Sequence, residues 1–457
     1  MRNVIARSYG ILTSAAMKVT AGVAATALLS FAPVQPGHAA PAGGDFVQEQ
    51  SGLSLEGGFE RLVDVFGPAP KAWTYDVASA EWRDKFDSSG GQGLYAVAEK
   101  SPTLGQHVMP ALNQAIVRYQ GIVQRGGWEK VATKQTLRLG VRNRAVGDLR
   151  ERLTISGDLA ERSGSSKVFD AYVEAAVRRF QRRHGIVPDG IVRENTLAAL
   201  NIPATSRLAQ LRINMNRLAT MEQPDADRYV MVNIPAAEIE AVQLGFVRSR
   251  HTAVVGKIDR QTPILSSKVH QINFNPFWTV PKSIIRRDVI PTVQKDPTYL
   301  ERYNIRILDG RGEEIDPLTV NWNTDEAVDY MFRQDPGEVN SLGSVKINFH
   351  NKHQVYLHDT PSKSLFASNF RFHSSGCIRV QNVRELVSWI LSETDDWNRA
   401  KVDAVIRSGE RVDVSVNNPV ELHFVYVTAW AATDGTVNFR DDIYELDNIR
   451  TAGIVAQ

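Results

Sequence analysis

The chain has 457 residues, a formal net charge of +2, 43% hydrophobic residues and 23% charged residues. Those values exclude a disordered or fibrous chain and give no basic field that would gather nucleic acid. The length is enough for two or three domains with substantial cores.

The first forty residues read as an export signal. Arg2, Arg7 and Lys18 precede an apolar stretch from about Val19 to Phe31. Pro33, Pro36 and Gly37 then break any helix, and His38-Ala39-Ala40 offers small residues to a signal peptidase. Residues 1–40 are expected to direct export, with cleavage after Ala39 or Ala40. An uncleaved anchor is the alternative, for which the apolar stretch is short.

Residues 41–58 are rich in Gly, Ser and Gln and predict a flexible mature N-terminus. Residues 59–136 predict a helical supporting region, with Val108, Leu112, Ile116 and Tyr119 on one stripe and Gly126-Gly127 ending the helix. Residues 137–202 predict three short helices. Leu137, Val146, Leu149 and Leu153 form the apolar face of the first, and glycines occupy the turns. The run from Ala176 to Gly190, with Phe180-Gln181, His184-Gly185 and Asp189-Gly190, resembles the three-helix peptidoglycan-binding domain. His184 and Asp189 read as turn and cap residues rather than as ligands.

From Tyr229 the apolar period changes to two. Strands are predicted at 229–235, 253–256, 269–274, 345–349, 355–357 and 422–426. The catalytic domain is expected over residues 226–450, with an insertion near 281–340 too long to lack structure of its own. Trp278, Phe277 and Phe332 line a cleft there or pack a core.

Cys377 is the only cysteine, so no disulfide can form within the chain. In an exported protein an odd thiol is either an intermolecular bridge or a reactive group. Gly376 lets the backbone approach a substrate, which points to a thiol nucleophile. Thiol chemistry needs a base, and His350, His353, His358 and His373 all precede it closely. Spacing alone does not choose among them. His358 follows the strand Val355-Tyr356-Leu357, where catalytic groups often sit, while His350 and His353 flank a turn. His373 lies four residues before the cysteine, near enough to reach the site. Zinc ligation by three histidines and the cysteine competes, although the spacings fit no common ligand pattern. An inert buried thiol also remains open.

Asn351–Pro361 and Arg371–Val380 together resemble the signature of the L,D-transpeptidase catalytic domain of the YkuD type. Asn273–Pro281, Pro336–Gly343, Phe424–Trp430 and Phe439–Asp442 resemble its large periplasmic (YcbB-like) branch. Where many members carry a histidine before Gly-Cys, this chain has Ser375. The resemblance implies an α+β multidomain protein: a mostly β YkuD-type domain with an inserted capping segment, an all-α peptidoglycan-binding domain and the helical supporting region. It implies Cys377 as nucleophile, His358 as base, and backbone N–H groups near Ser375, Gly376 and Cys377 as the oxyanion site. Arg379 would pair with a substrate carboxylate or brace its loop. Tyr356 would face the site by strand alternation or fill the core. Asp359 would orient the loop or His358, and Ser374 and Ser375 would satisfy loop hydrogen bonds.

The implied activity is transfer of stem tetrapeptides, with loss of terminal D-alanine, to an amine of another stem in cell-wall biogenesis. A thiol hydrolase of the carboxypeptidase kind and a non-catalytic wall-binding scaffold are the rival readings. The expected partners are peptidoglycan stem peptides and glycan, carbapenem-type β-lactams as covalent inhibitors, and other wall-synthesis enzymes. No nucleic acid, metal or organic cofactor is expected. The implied location is the periplasm.

Overall fold

The structure, a computed structural model, describes residues 101–161 and 166–447. The export signal expected at 1–40, the flexible segment at 41–58, residues 59–100 of the supporting region and residues 448–450 of the catalytic range lie outside the described residues. Among the described residues no helix is long and apolar enough to cross a membrane.

The described chain opens with helix α1 (Val108–Gln124), which buries Val108, Leu112, Ile116 and Tyr119 at three- and four-residue spacing. Gly126 and Gly127 follow it at positive φ (95° and 79°), a conformation a side chain would resist. Three helices come next: α2 (Arg144–Ile155), α3 (Ala171–Arg183) and α4 (Glu194–Leu200). Asn143 and Asp170 cap α2 and α3 by accepting the N–H groups of Ala145 and Val173. Their shared core includes Val146, Leu149, Leu153, Phe169, Val177 and Phe180. Leu137 joins this core from outside the helix, in a bridge to Val192, because α2 starts only at Arg144.

Helix α5 (Ala204–Thr220) then leads to the β-rich region. The periodicity reading missed it. Its buried face carries Arg207, Gln210 and Asn214 beside Leu208, Leu211 and Leu218, so hydrophobicity alone does not mark the stripe. Gln210 Nε2 donates to the carbonyls of Thr428 and Arg440, and Asn214 Nδ2 donates to Thr428 Oγ1.

Nine strands form the main sheet: β1 (Arg228–Asn233), β2 (Glu238–Gln243), β3 (Phe246–Gly256), β4 (Leu265–Phe274), β9 (Val345–Phe349), β10 (Leu357–His358), β11 (Phe372–Ser374), β12 (Ile378–Val380) and β13 (Val412–Val425). Their order is β11-β3-β12-β10-β9-β4-β13-β1-β2, and an added β2–β3 pairing joins β2 back to β3, closing the sheet on itself. The inner core comprises alternate residues such as Val230, Val232, Ile272, Ile347, Leu357 and Ile378. It is filled by helix α6 (Val383–Ile390) through Leu386, Val387 and Ile390. On the other face of β1, Tyr229 and Met231 pack toward α1 and α5.

Between β4 and β9 runs a segment with its own small sheet, β5 (Trp278–Thr279), β8 (Met331–Gln334), β6 (Ile305–Leu308) and β7 (Glu314–Ile315), in the order β5-β8-β6-β7. It also has its own core, in which Phe332 is buried with Ile285, Val289 and Ile307. Phe332 is therefore a packing residue. Phe277 lies under the guanidinium of Arg333 at 4.8 Å.

The three-helix unit is bound tightly to the β-rich region. The His184 ring stacks between Phe180 (3.8 Å) and Phe439 (5.5 Å). Arg183 pairs with Asp158 and donates to the carbonyl of Val437, while Arg440 donates to the carbonyl of Arg183. Replacing the buried Phe439 with Ala is expected to lower stability by about 3–5 kcal/mol, read from denaturant unfolding. Burial, with Arg183 and Arg207 nearby, drives the His184 pKa well down, and burial lowers that of His251 to about 4. Both are held neutral when folded, so the unfolded chain takes up protons first as pH falls. The urea midpoint should be level above about pH 6.5 and fall from there toward pH 4. A midpoint that rose on acidification would contradict this.

Candidate active site

Period-two alternation divides the central strands. On β9, Val345, Ile347 and Phe349 enter the core while Lys346 and Asn348 face the other way. On β10, Leu357 enters the core, with Tyr356 and His358 on the opposite side. On β12, Ile378 and Val380 enter the core and alternate with Arg379, while Cys377, just before the strand, is partly buried against the edge of that core. Register then fixes the neighbours: Lys346 pairs with His358, and His358 pairs with Arg379. Ile378 N–H donates to the carbonyl of Tyr356 at 3.0 Å, which sets Cys377 beside Tyr356. Two rows result, Lys346–His358–Arg379 and Asn348–Tyr356–Cys377. His358 pairs with Arg379, two residues beyond Cys377, so the imidazole and the thiol belong to neighbouring strands of one parallel pair.

The loop before Cys377 is built by short hydrogen bonds. Ser374 Oγ donates to the carbonyl of Cys377 (2.5 Å) and accepts from Gly376 N–H (3.1 Å). The carbonyl of Gly376 accepts from Thr262 Oγ1 at 2.9 Å. Gly376 has φ +111°, which a residue with a Cβ rarely adopts. Its N–H is taken up by Ser374 and so leaves the set of donors expected to face an oxyanion. Ser375 Oγ accepts from Arg260 Nη1 at 2.9 Å, and the same guanidinium pairs with Asp288 of the inserted segment at 2.5 Å. A cleft of about 240 Å³ opens here, between Arg260, Gln261, Ser283, His353, Ser375 and Gly376.

The electrostatics favour neutral partners. Burial pushes the Cys377 thiol up from its ordinary value; the N–H and hydroxyl of Tyr356, and the charges of Lys346 and Arg379, oppose that rise. Burial lowers the His358 pKa to about 3, helped by the Arg379 charge. His358 Nδ1 lies 2.5 Å from the carbonyl of Asp359 and must donate there, so Nε2 is the basic nitrogen. Burial also lowers the Lys346 and Arg379 pKa values and raises that of Tyr356. Trp278 Nε1 donates to the Tyr356 hydroxyl at 3.2 Å.

The remaining sequence candidates separate. Asp359 is buried with its carboxylate on Lys363 (2.5 Å) and on the N–H and hydroxyl of Ser344; although burial raises its pKa, these partners hold it low. Its link to His358 is through its carbonyl. The His373 ring lies against Phe370, with Nε2 3.0 Å from that residue's carbonyl. His350 stacks on His270 at 4.1 Å, and His353 is exposed at the cleft edge. Among the described residues no group of three or more His, Cys, Asp or Glu is arranged to hold a metal. Sequence reading missed Lys346, Asn348 and Arg260. The first two alternate with Val345, Ile347 and Phe349, yet only the strand order brings Lys346 beside His358. Arg260 reaches Ser375 across 115 residues.

Comparison with known proteins finds two family matches within the chain. Residues 227–414 match the family described as "L,D-transpeptidase catalytic domain" (YkuD), and residues 142–200 match "Putative peptidoglycan binding domain". A Haemophilus influenzae protein named "Putative L,D-transpeptidase" is 34% identical over 241 residues, which cover 52% of this chain and 48% of that protein. The chain thus matches about half the length of this curated relative. Among solved structures, an L,D-transpeptidase from Xylanimonas cellulosilytica DSM 15894 is 15% identical, covering 64% of this chain and 99% of its own, with a TM-score of 0.21. The L,D-transpeptidase LdtMt1, solved in complex with imipenem, is 15% identical and covers 44% of this chain and 59% of its own, with a TM-score of 0.20. With the family matches falling on the β-rich region and on the three-helix unit, the chain carries a YkuD-type L,D-transpeptidase catalytic domain together with a peptidoglycan-binding domain.

Proposed function

We propose that the protein is an exported L,D-transpeptidase in which Cys377 forms an acyl-enzyme with stem tetrapeptides of peptidoglycan. The observation that carries this reading is the placement of Cys377 and His358 on one face of paired strands within the matched catalytic domain. The thiol passes its proton to His358 Nε2 as sulfur attacks the carbonyl joining the diamino acid to terminal D-alanine. The tetrahedral intermediate collapses as that proton moves to the departing D-alanine amine, leaving a thioester. An amine of a second stem then attacks, gives its proton to His358, and expels the thiol to form a 3-3 cross-link. Water in place of the amine yields trimming.

Burial keeps His358 neutral and the thiol protonated, so the pair works as base and acid rather than as a standing ion pair. The half-buried Arg379, whose buried Nε has no hydrogen-bond partner, suits a substrate carboxylate. Tyr356 stands beside Cys377, and Ser375 anchors the loop through Arg260. The peptidoglycan-binding domain supports action at the wall, hence beyond the inner membrane, in the periplasm. Carbapenems suit the same thiol as acylating inhibitors, in keeping with the imipenem complex of LdtMt1.

The test is incubation of the enzyme with purified tetrapeptide muropeptides, followed by mass spectrometry. Cross-linked dimers lacking one D-alanine are expected. Tripeptides alone would replace transfer by hydrolysis, and unchanged substrate would leave only a scaffold. Cys377→Ala is expected to abolish acylation, and His358→Ala to slow it by about 10²-fold or more, in single-turnover measurements. Gly376→Ala forces a Cβ into a φ it resists, at roughly 1–3 kcal/mol. A lower melting temperature together with slower acylation is expected.

A further inference from the structure

The ammonium of Lys346 stands 4.5 Å from the ring centre of Tyr356. That same tyrosine lies beside Cys377 across the strand pairing, its carbonyl accepting the N–H of Ile378 at 3.0 Å. Lys346 is also the register partner of His358 on the neighbouring strand. It is more than half buried and makes no ion pair among the described residues. A half-buried cation without a carboxylate partner is costly, so something else must justify its place.

We propose that Lys346 is an electrostatic positioning residue for the nucleophile: from beneath the Tyr356 ring it braces the tyrosine against Cys377 and supplies positive field at the sulfur as negative charge develops there. This deepens the reading of Cys377 as nucleophile and rests on it. His358 does not supply that field in the resting enzyme, because its ring is buried and lies between two cations, Lys346 and Arg379. The charged and titratable groups around the sulfur are then Tyr356 just before β10, His358 on β10, Arg379 on β12 and Lys346 on β9. Asp413 on β13 is the carboxylate on the Lys346 side. It also pairs with Arg411 and accepts from Asn273 Nδ2, and its charge favours the protonated lysine. A cation at the face of a phenol also strengthens its O–H as a donor, which tightens the contact to sulfur as it ionises.

The test is the rate of Cys377 alkylation by iodoacetamide, a neutral reagent that Lys346 does not attract, between pH 6 and pH 10. Lys346→Met is expected to slow alkylation at pH 8 by roughly 3- to 10-fold, the effect of up to one unit in thiol pKa. Lys346→Arg is expected to restore most of the rate. Circular dichroism and melting temperature show whether Lys346→Met is folded, and Lys346→Gln provides a second neutral variant. An unchanged alkylation profile in folded neutral variants overturns the proposal. So does a rise in KM for muropeptide without that change, which would make Lys346 a substrate-carboxylate ligand. In a cycle with Tyr356→Phe, the Lys346→Met effect should shrink; full additivity would overturn the route through tyrosine. Absence of any thioester in the wild-type enzyme would refute the nucleophile reading instead, while the alkylation rates would still decide the role of Lys346.

Discussion

Everything at the candidate site depends on the register of three neighbouring strands, β9, β10 and β12. A strand has a side-chain period of two, so one register sends Val345, Ile347, Leu357, Ile378 and Val380 inward together. The same register sends Lys346, His358 and Arg379 outward together. A slip of one residue would bury charge and expose the core, so apolar burial enforces the geometry of the polar face. The chemistry thus borrows its precision from packing. No side chain at the site has to find its place alone.

That arrangement sets an electrostatic tension. Burial favours neutral forms of the thiol and the imidazole, yet two cations stand within the same small area. Low water content strengthens every charge that does form there. On the proposed function, the site is quiet at rest and responsive once negative charge begins to build on sulfur. Its positive groups are fixed by strand pairing before any substrate arrives, so they need not reorganise during the reaction.

Much of this was legible in the chain itself. The run around Cys377 and the strand ending at His358 identify the nucleophile and base candidates by local pattern, and alternation suggests the outward face of Tyr356. The shift from helical to strand period at Tyr229 marks the β-rich region. What stayed hidden is non-local. Lys346 looks like a polar residue on an ordinary half-buried strand until β9 is known to lie against β10. Arg260 gains meaning only when the inserted segment brings Asp288 to it and the loop brings Ser375. Helix α5 escaped because its buried side is built from Arg207, Gln210 and Asn214, which earn their burial through partners far along the chain. Proximity in sequence draws Asp359 and His373 toward the site as candidates. In space, one carboxylate serves a loop and the other ring rests on Phe370.

The stacking of His184 between Phe180 and Phe439 separates modularity in sequence from modularity in mechanics. A three-helix unit recurring beside many partners suggests a detachable piece. Here its surface is finished by residues more than 250 positions away, through Arg440, Phe439 and Val437. Helix α5 leaves it after a short link and is itself locked by Thr428 and Arg440. Cutting at the apparent boundary would expose aromatic rings and buried arginines on both halves. The two parts share one packed boundary of stacked rings and cross-boundary hydrogen bonds, so what looks like a joint in the chain is an interior in space.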